Sequence, residues 1–205
     1  MEQGEFLFSA LACLGQLQSL PMKPGVRITG GDFKGRGLAV PPGARPTEGR
    51  VREALFSMWG ESVDGARVLD LFAGSGVVGL EAIGRGALSV LAVDQDRRTI
   101  ETLEANAALL GEEIGIRRLT LPAGLSRLAE ERVGPFDLVF ADPPYIFNAY
   151  PEILTGVIPL LSGAGEVCIK HSSRRELPVE VSPLVKVETR RYGESSLSFY
   201  RLGPV

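Results

Sequence analysis

Val68-Leu69-Asp70-Leu71-Phe72-Ala73-Gly74-Ser75-Gly76-Val77-Val78-Gly79 reads as a short apolar strand that runs into a glycine turn and then into a helix. Gly74, Gly76 and Gly79 satisfy the G-x-G-x-x-G spacing of a dinucleotide site, and Asp94 closes the next expected strand, Leu88 to Val93, near the distance of a ribose-binding acid. A nicotinamide-dependent oxidoreductase fits that pattern. Asp70 argues against it, because a carboxylate just before the glycine turn repels a pyrophosphate and attracts an ammonium group. A zwitterionic nucleoside such as S-adenosylmethionine suits the same frame: backbone groups of Ala73, Gly74, Ser75 and Gly76 with Asp70 take the methionine end, and Asp94, followed by Gln95, takes the ribose.

Downstream, Asp137-Leu138-Val139-Phe140-Ala141 reads as a second buried strand, ending in Asp142-Pro143-Pro144-Tyr145. Open α/β sheets bind ligands at the carboxyl ends of their strands. Neither proline donates a backbone hydrogen bond and each fixes its own φ, so this turn is stiff and offers acceptors only. Such a pocket suits a planar base with an exocyclic amino group. The Asp142 carboxylate and the Pro143 carbonyl accept the two N–H bonds, and the Tyr145 ring supplies a stacking face worth about 1–3 kcal/mol.

Around these motifs, apolar runs alternate with helix-period segments from 67 to 170, the pattern of a parallel, doubly wound sheet with right-handed crossovers. Asp96 is the expected cap of a helix carrying Ile100, Leu103, Ala107 and Leu110. Thr47 is the expected cap of an earlier helix whose Val51, Ala54, Leu55, Met58 and Trp59 form a core-facing stripe. Residues 26–40 read as a glycine-rich hairpin presenting Arg27, Lys34 and Arg36. The segments 184–190 and 197–202, with no helix between them, read as an antiparallel C-terminal hairpin after a strand at 166–170.

The 205 residues, 44% of them hydrophobic, suffice for one well-cored domain. The expected layout is an extension over 1–21, poorly ordered, and one domain over 22–205, divided into a hairpin at 22–46 and a catalytic core at 47–205. The extension is apolar from Phe6 to Leu17, but Glu2 and Glu5 give it the wrong charge for a secretory leader. No apolar run approaches the ~18 residues of a membrane span. Two cysteines, Cys13 and Cys168, without ligand-spaced partners exclude a disulfide framework and a zinc site, so no metal is expected and a reducing cytoplasm is. The lone His171 is expected at a surface or edge, and Ala73 in place of glycine removes the nucleophile elbow a hydrolase needs around Ser75.

The net charge of −3 is unevenly spread. Residues 23–52 carry seven basic side chains against two acidic ones, and residues 170–191 carry six against three. The span between them, 53–169, has a net charge of −9. That asymmetry puts phosphate-facing charge at the two ends of the chain.

Three blocks complete a resemblance: Val26-Arg27-Ile28-Thr29-Gly30-Gly31, Arg45-Pro46-Thr47 followed by Arg50-Val51-Arg52-Glu53-Ala54-Leu55-Phe56, and Asp142 to Tyr145, with Tyr192-Gly193 near the end. Over residues 22 to 202 the chain resembles the bacterial 16S rRNA guanine-N2 methyltransferases. The resemblance implies a Rossmann-like, S-adenosylmethionine-dependent enzyme, monomeric, methylating a guanine amino group in small-subunit rRNA, free or within a partly assembled ribosomal subunit. It implies catalytic roles for Asp142, Pro143, Pro144 and Tyr145. The charge asymmetry assigns RNA contacts to Arg27, Lys34, Arg36, Arg45, Thr47, Arg50 and Arg52, of which Arg45, Thr47 and Arg50 are expected beside the cleft, where they meet either cofactor or RNA. The chain departs from the pattern at Leu121-Pro122-Ala123-Gly124, where a polar residue often meets the adenine, so backbone groups and packing are left to hold that ring. A DNA adenine-N6 or cytosine-N4 methyltransferase shares the Asp-Pro-Pro-Tyr turn but needs a recognition segment for which no insertion offers room. A silent RNA-binding module would have no use for two intact site motifs.

Overall fold

The computed structural model describes residues 25–44 and 46–203. The expected extension over 1–21 and the RNA contact assigned to Arg45 fall outside the described residues.

Strands β1 (Val26–Arg27) and β2 (Gly37–Leu38) pair antiparallel and form the expected hairpin, a two-stranded sheet of its own. Helix α1 (Gly49–Trp59) follows. The core then alternates: β3 (Arg67–Leu71), α2 (Val77–Gly84), β4 (Ser89–Asp94), α3 (Arg97–Leu110), β5 (Gly115–Arg118), α4 (Leu125–Glu130), β6 (Phe136–Ala141), α5 (Tyr150–Val157) and β7 (Leu161–Ser172). Strands β8 (Glu180–Val181), β9 (Leu184–Tyr192) and β10 (Ser195–Leu202) close the chain. The large sheet has the order β5-β4-β3-β6-β7-β10-β9-β8. Strands β3 to β7 are mutually parallel, and β8 to β10 pair antiparallel. This is the Rossmann-like, class I methyltransferase arrangement with its C-terminal antiparallel strands, as expected from the sequence. Strand β7 runs well beyond the expected 166–170, and the two-residue β8 was not foreseen.

Successive strand residues face opposite sides of the sheet, which splits the core in two. Leu55, Phe56 and Trp59 of α1 and Leu80 of α2 pack on Val68, Phe140 and Phe199. Leu125 and Leu128 of α4 and Ile153 and Leu154 of α5 pack on Leu69, Leu71, Val139 and Tyr200 on the other side. Trp59 is the core residue the stripe predicts, edge-on to Phe56 at 5.7 Å and to Phe140 at 6.4 Å.

The glycine turn is dictated by space as well as by φ. Gly76, at φ 75°, opens α2, and a Cβ there would lie 2.9 Å from Leu103 Cγ. A Cβ on Gly79 would lie 2.8 Å from Val90 Cγ1, so only glycine lets α2 settle this closely on the sheet. Phe72 stands in the left-handed region at φ 58°, an uncommon place for a bulky residue. Asp96 caps α3 as expected, accepting the Thr99 N–H at 2.9 Å. Thr47 does not cap α1. The cap position is Glu48, with no side-chain bond to the helix, because the Thr47 hydroxyl has a partner elsewhere.

Candidate active site

Strand β3 has β4 on one side and β6 on the other, so the chain reverses its winding direction there, and a cleft of about 690 Å³ opens at the carboxyl ends of these strands. Asp70, Ala73, Gly74, Ser75, Asp94 and Gln95 line it, and so do Asp142, Pro143, Pro144 and Tyr145. The two sequence motifs, far apart in the chain, therefore share one cavity. Gly76 shapes the turn from behind the wall rather than lining it.

Asp94, at the end of β4, is half-buried and fixed on both oxygens: Oδ2 accepts the Gly74 N–H at 3.0 Å and Oδ1 the Asp96 N–H at 3.1 Å. Asp70 is only 1% exposed and accepts the Gly79 N–H at 3.0 Å. Burial, above all, pushes its carboxyl up to about 7, with Asp142 and Asp94 adding to the rise and the Gly79 N–H opposing it. Three carboxylates, Asp70, Asp94 and Asp142, thus face one cleft. With Asp142 neutralised by Lys170, Asp70 and Asp94 make its wall unfavourable to a dinucleotide pyrophosphate and favourable to an ammonium group. S-adenosylmethionine fits that chemistry: Asp70 would take its ammonium group and Asp94 its ribose diol. Residues 121–124 are not part of the lining, which includes Val40 and Thr99 beside Gln95 among its residues.

Asp142 is clamped. Thr47 Oγ1 donates to its Oδ2 at 2.6 Å, and Lys170 Nζ, from β7, donates to Oδ1 at 2.8 Å and Oδ2 at 3.0 Å. Lys170 and Asp142 side chains are only 12% and 16% exposed. Lys170 was missed in the sequence. Its signal was a lone cation at the end of the strand expected over 166–170. The same ammonium lies 5.8 Å from the centroid of the Tyr145 ring. Tyr145 is 56% exposed at the cleft rim.

Behind the turn stands an aromatic brace: Phe147 meets Phe72 edge-on at 5.3 Å and Tyr150 at 5.3 Å, and Arg175 lies 5.4 Å from the Tyr150 ring centroid. His171 is not at a surface or edge. It is 6% exposed within β7, its Nε2 2.8 Å from Ser198 Oγ and its Nδ1 2.9 Å from the Ser172 carbonyl. Desolvation by burial, foremost, depresses its pKa, so the ring is a neutral structural link between strands.

The basic residues divide. Arg27, Lys34, Arg36 and Arg50 are exposed. Arg27 spans its own hairpin to the Gly35 carbonyl and Arg36 reaches the Leu109 carbonyl, both from exposed positions. Arg52 has no face for a phosphate: it is 1% exposed, paired with Glu81, and donates to the carbonyls of Thr47 and Arg27. Its place in the RNA-contacting set is withdrawn, since the i, i+3, i+4 spacing that puts Val51 and Leu55 in the core also turns residue 52 inward. Thr47 is buried at 6% beside Asp142, in the cleft and away from the outer surface.

Glu81 gathers this side of the molecule. Fully buried, it accepts the Thr29 N–H at 3.0 Å, the Thr29 hydroxyl at 2.5 Å, Arg52 Nε at 3.4 Å and Arg85 Nη2 at 2.7 Å. Gly31 packs so tightly on the end of α2 that a Cβ would fall 2.2 Å from the Gly84 carbonyl oxygen. The Thr29-Gly30-Gly31 segment therefore docks the hairpin on the core.

The family model described as Conserved hypothetical protein 95 matches residues 26–201. The chain is 34% identical over 182 residues to YlbH of Bacillus subtilis, named as a candidate rRNA methyltransferase, covering 86% of this chain and 98% of that protein. It is 42% identical over 122 residues to the ribosomal RNA small subunit methyltransferase D of Escherichia coli, a match spanning 58% of this chain and 60% of the relative. The solved structure of the Escherichia coli protein YhhF, described as a candidate methyltransferase, superposes with a TM-score of 0.74 at 29% identity, over 88% of this chain and 99% of that one. The motifs that line the cleft lie within the matched residues, and the chain belongs to the conserved hypothetical protein 95 family, the small-subunit rRNA methyltransferase D type.

Proposed function

We propose that this chain methylates the exocyclic N2 amino group of a guanine in small-subunit rRNA, with S-adenosylmethionine as donor. The observation that carries the reading is the opposition, within one cleft, of the clamped Asp142–Tyr145 turn and the wall that carries Asp70 and Asp94. One side suits an amino-bearing base, the other a cationic nucleoside. The relatives' names support rRNA as the substrate class.

When bound, S-adenosylmethionine supplies an electrophilic methyl on a sulfonium, already activated for transfer. The protein's task is alignment. An exocyclic amine donates its lone pair into the ring and is planar and poorly nucleophilic. Asp142 and the Pro143 carbonyl accept its two N–H bonds and favour the pyramidal nitrogen. Tyr145 holds the base by its face. Thr47 and Lys170 keep the Asp142 carboxylate from turning, so its acceptor direction is set before the base arrives. Such preorganisation removes the orientational part of the barrier, and a strong base is unnecessary because the proton is lost only after the nitrogen has become cationic.

The test is transfer of labelled methyl from S-adenosylmethionine to small-subunit rRNA lacking its modifications, followed by nucleoside mass analysis. N2-methylguanosine is the expected product. N6-methyladenosine or N4-methylcytidine would overturn the base assignment, and binding of NAD in preference to S-adenosylhomocysteine would overturn the donor.

A further inference from the structure

Beside the stacking ring sits a residue that catalysis does not use. Ile146 is 88% exposed, the most exposed of the large hydrophobic side chains among the described residues. A single exposed aliphatic residue is ordinary on a protein surface. This one is held in a particular way. The Phe147 N–H donates to the Pro144 carbonyl at 2.8 Å, closing a four-residue turn in which Tyr145 and Ile146 are the two central positions. Both ends of the turn are fixed. Pro143 is buried and follows the clamped Asp142, and Phe147 is gripped edge-on between Phe72 and Tyr150. Tyr145 and Ile146 therefore project together from a stiff tip at the mouth of the cleft, an aromatic face and an aliphatic knob side by side.

We infer that Ile146 is an apolar wedge that enters the base stack of a structured RNA and fills the space left when the target base swings into the cleft. The inference rests on the proposed function and deepens it, by naming the substrate as a stacked or paired base rather than one in a loose single strand. The physical demand is plain. A base inside a helix presents its amino group to its partner and not to Asp142, so it must leave the stack, at a cost of a few kcal/mol in unstacking and unpairing. Aliphatic side chains inserted between base steps offset that cost by restoring contact to the bases left behind. A wedge must be rigid, apolar, exposed in the free protein and next to the pocket that receives the base. Ile146 meets all of these, and Lys170 beneath the Tyr145 ring strengthens that ring as the receiving platform.

The test compares two forms of one substrate. Labelled methyl incorporation is measured on a folded small-subunit rRNA transcript and on overlapping unstructured fragments that together cover it, with wild type, Ile146→Ser and Ile146→Leu. At 88% exposure, neither substitution threatens the fold. Ile146→Ser is expected to lower kcat/KM on the folded transcript by about tenfold and on the accepting fragment by no more than about twofold. Ile146→Leu is expected to retain the wild-type ratio of folded to unstructured activity. If Ile146→Ser loses the same factor on both forms, or on neither, the wedge is wrong while the methyltransferase reading stands. If wild type labels neither form, nor small-subunit particles lacking their modifications, the methyltransferase reading fails and the wedge fails with it.

Discussion

Thr47 and Asp142 are 95 positions apart in the chain and 2.6 Å apart across the cleft, hydroxyl to carboxylate. This bond ties the segment ahead of α1 to the loop after β6. It makes Thr47 a positioning residue for Asp142. Thr47→Val keeps the shape and removes the donor. A hydrogen bond to a charged group is worth about 1.5–3 kcal/mol, so kcat should fall roughly ten- to a hundredfold with S-adenosylmethionine affinity unchanged. Thr47→Ser should restore most of the rate. Single-turnover methylation beside calorimetric titration separates the two quantities, and a Kd loss equal to the kcat loss would place Thr47 on the donor instead.

Lys170 acts on the same carboxylate from the opposite side. Lys170→Met removes its counterion inside a cleft where both side chains are mostly hidden. The expected loss is about tenfold or more in kcat, with a smaller additional effect when Asp142 is already asparagine. A double-mutant cycle over Lys170→Met and Asp142→Asn measures that coupling. Strict additivity would mean that Lys170 serves the reaction without passing through Asp142.

Asp70 confers a definite pH dependence. Its carboxyl, pushed from 3.8 up to about 7 chiefly by burial, binds a proton more tightly folded than unfolded. The stability it contributes is therefore complete below the unfolded value and is lost as pH rises through about 7. Between about pH 5 and pH 8 the melting temperature of the ligand-free protein should fall more steeply than that of Asp70→Asn. S-adenosylhomocysteine, whose ammonium needs the ionised carboxylate, should bind more tightly over the same rise. Parallel pH profiles for wild type and Asp70→Asn, in both melting and binding, would assign the dependence to another group.

Arg52 is a stability residue. Desolvation by burial depresses its pKa and the Glu81 carboxylate opposes that effect, as for any guanidinium drawn into a core against a partner. Arg52→Ala leaves Glu81 with Arg85 and Thr29 only, and removing one member of a buried pair costs about 3 kcal/mol or more. Denaturant unfolding should show that loss, and the salt dependence of RNA binding should not change.

The exposed hairpin cations behave the other way. Replacing Arg27, Lys34 and Arg36 together by alanine should flatten the salt dependence of RNA binding, by a log–log slope of about 0.7 for each single-strand phosphate no longer neutralised. The cofactor Kd should stay fixed. An unchanged slope would move the phosphate-binding role to Arg174, Arg175, Arg190 and Arg191, on the β7 to β10 side of the cleft.

Much of this site is written in short-range patterns. The strand before each motif, the glycine turn, the Asp96 cap and the alternation of runs were legible because each depends on residues within a few positions of one another. The Asp142 clamp was not, because Lys170 and Thr47 reach it from segments 28 and 95 residues away. Thr47 misled for a related reason: a threonine two positions before a helix looks like a cap until a stronger acceptor is found across the fold. Arg52 misled because charge predicts exposure, and only the helical phase set by Val51 and Leu55 overrides it. His171 was assigned to an edge because β10, which covers β7 there, is hydrogen-bonded to it only in three dimensions.

The position of Glu81 bears on how this architecture can be rebuilt. Thr29 from the hairpin, Arg52 from α1 and Arg85 from the end of α2 all converge on one buried carboxylate. The hairpin is thus no detachable reader fitted to a generic catalytic scaffold. A chimera that grafts residues 25–44 onto another sheet of this topology would bring Thr29 without its acceptor, and a recipient stripped of its own hairpin would expose a negative charge meant to be covered. Glu81 and Arg52 would have to travel with the graft, so any exchange of substrate preference by swapping this arm must cut the chain after α2, not before α1.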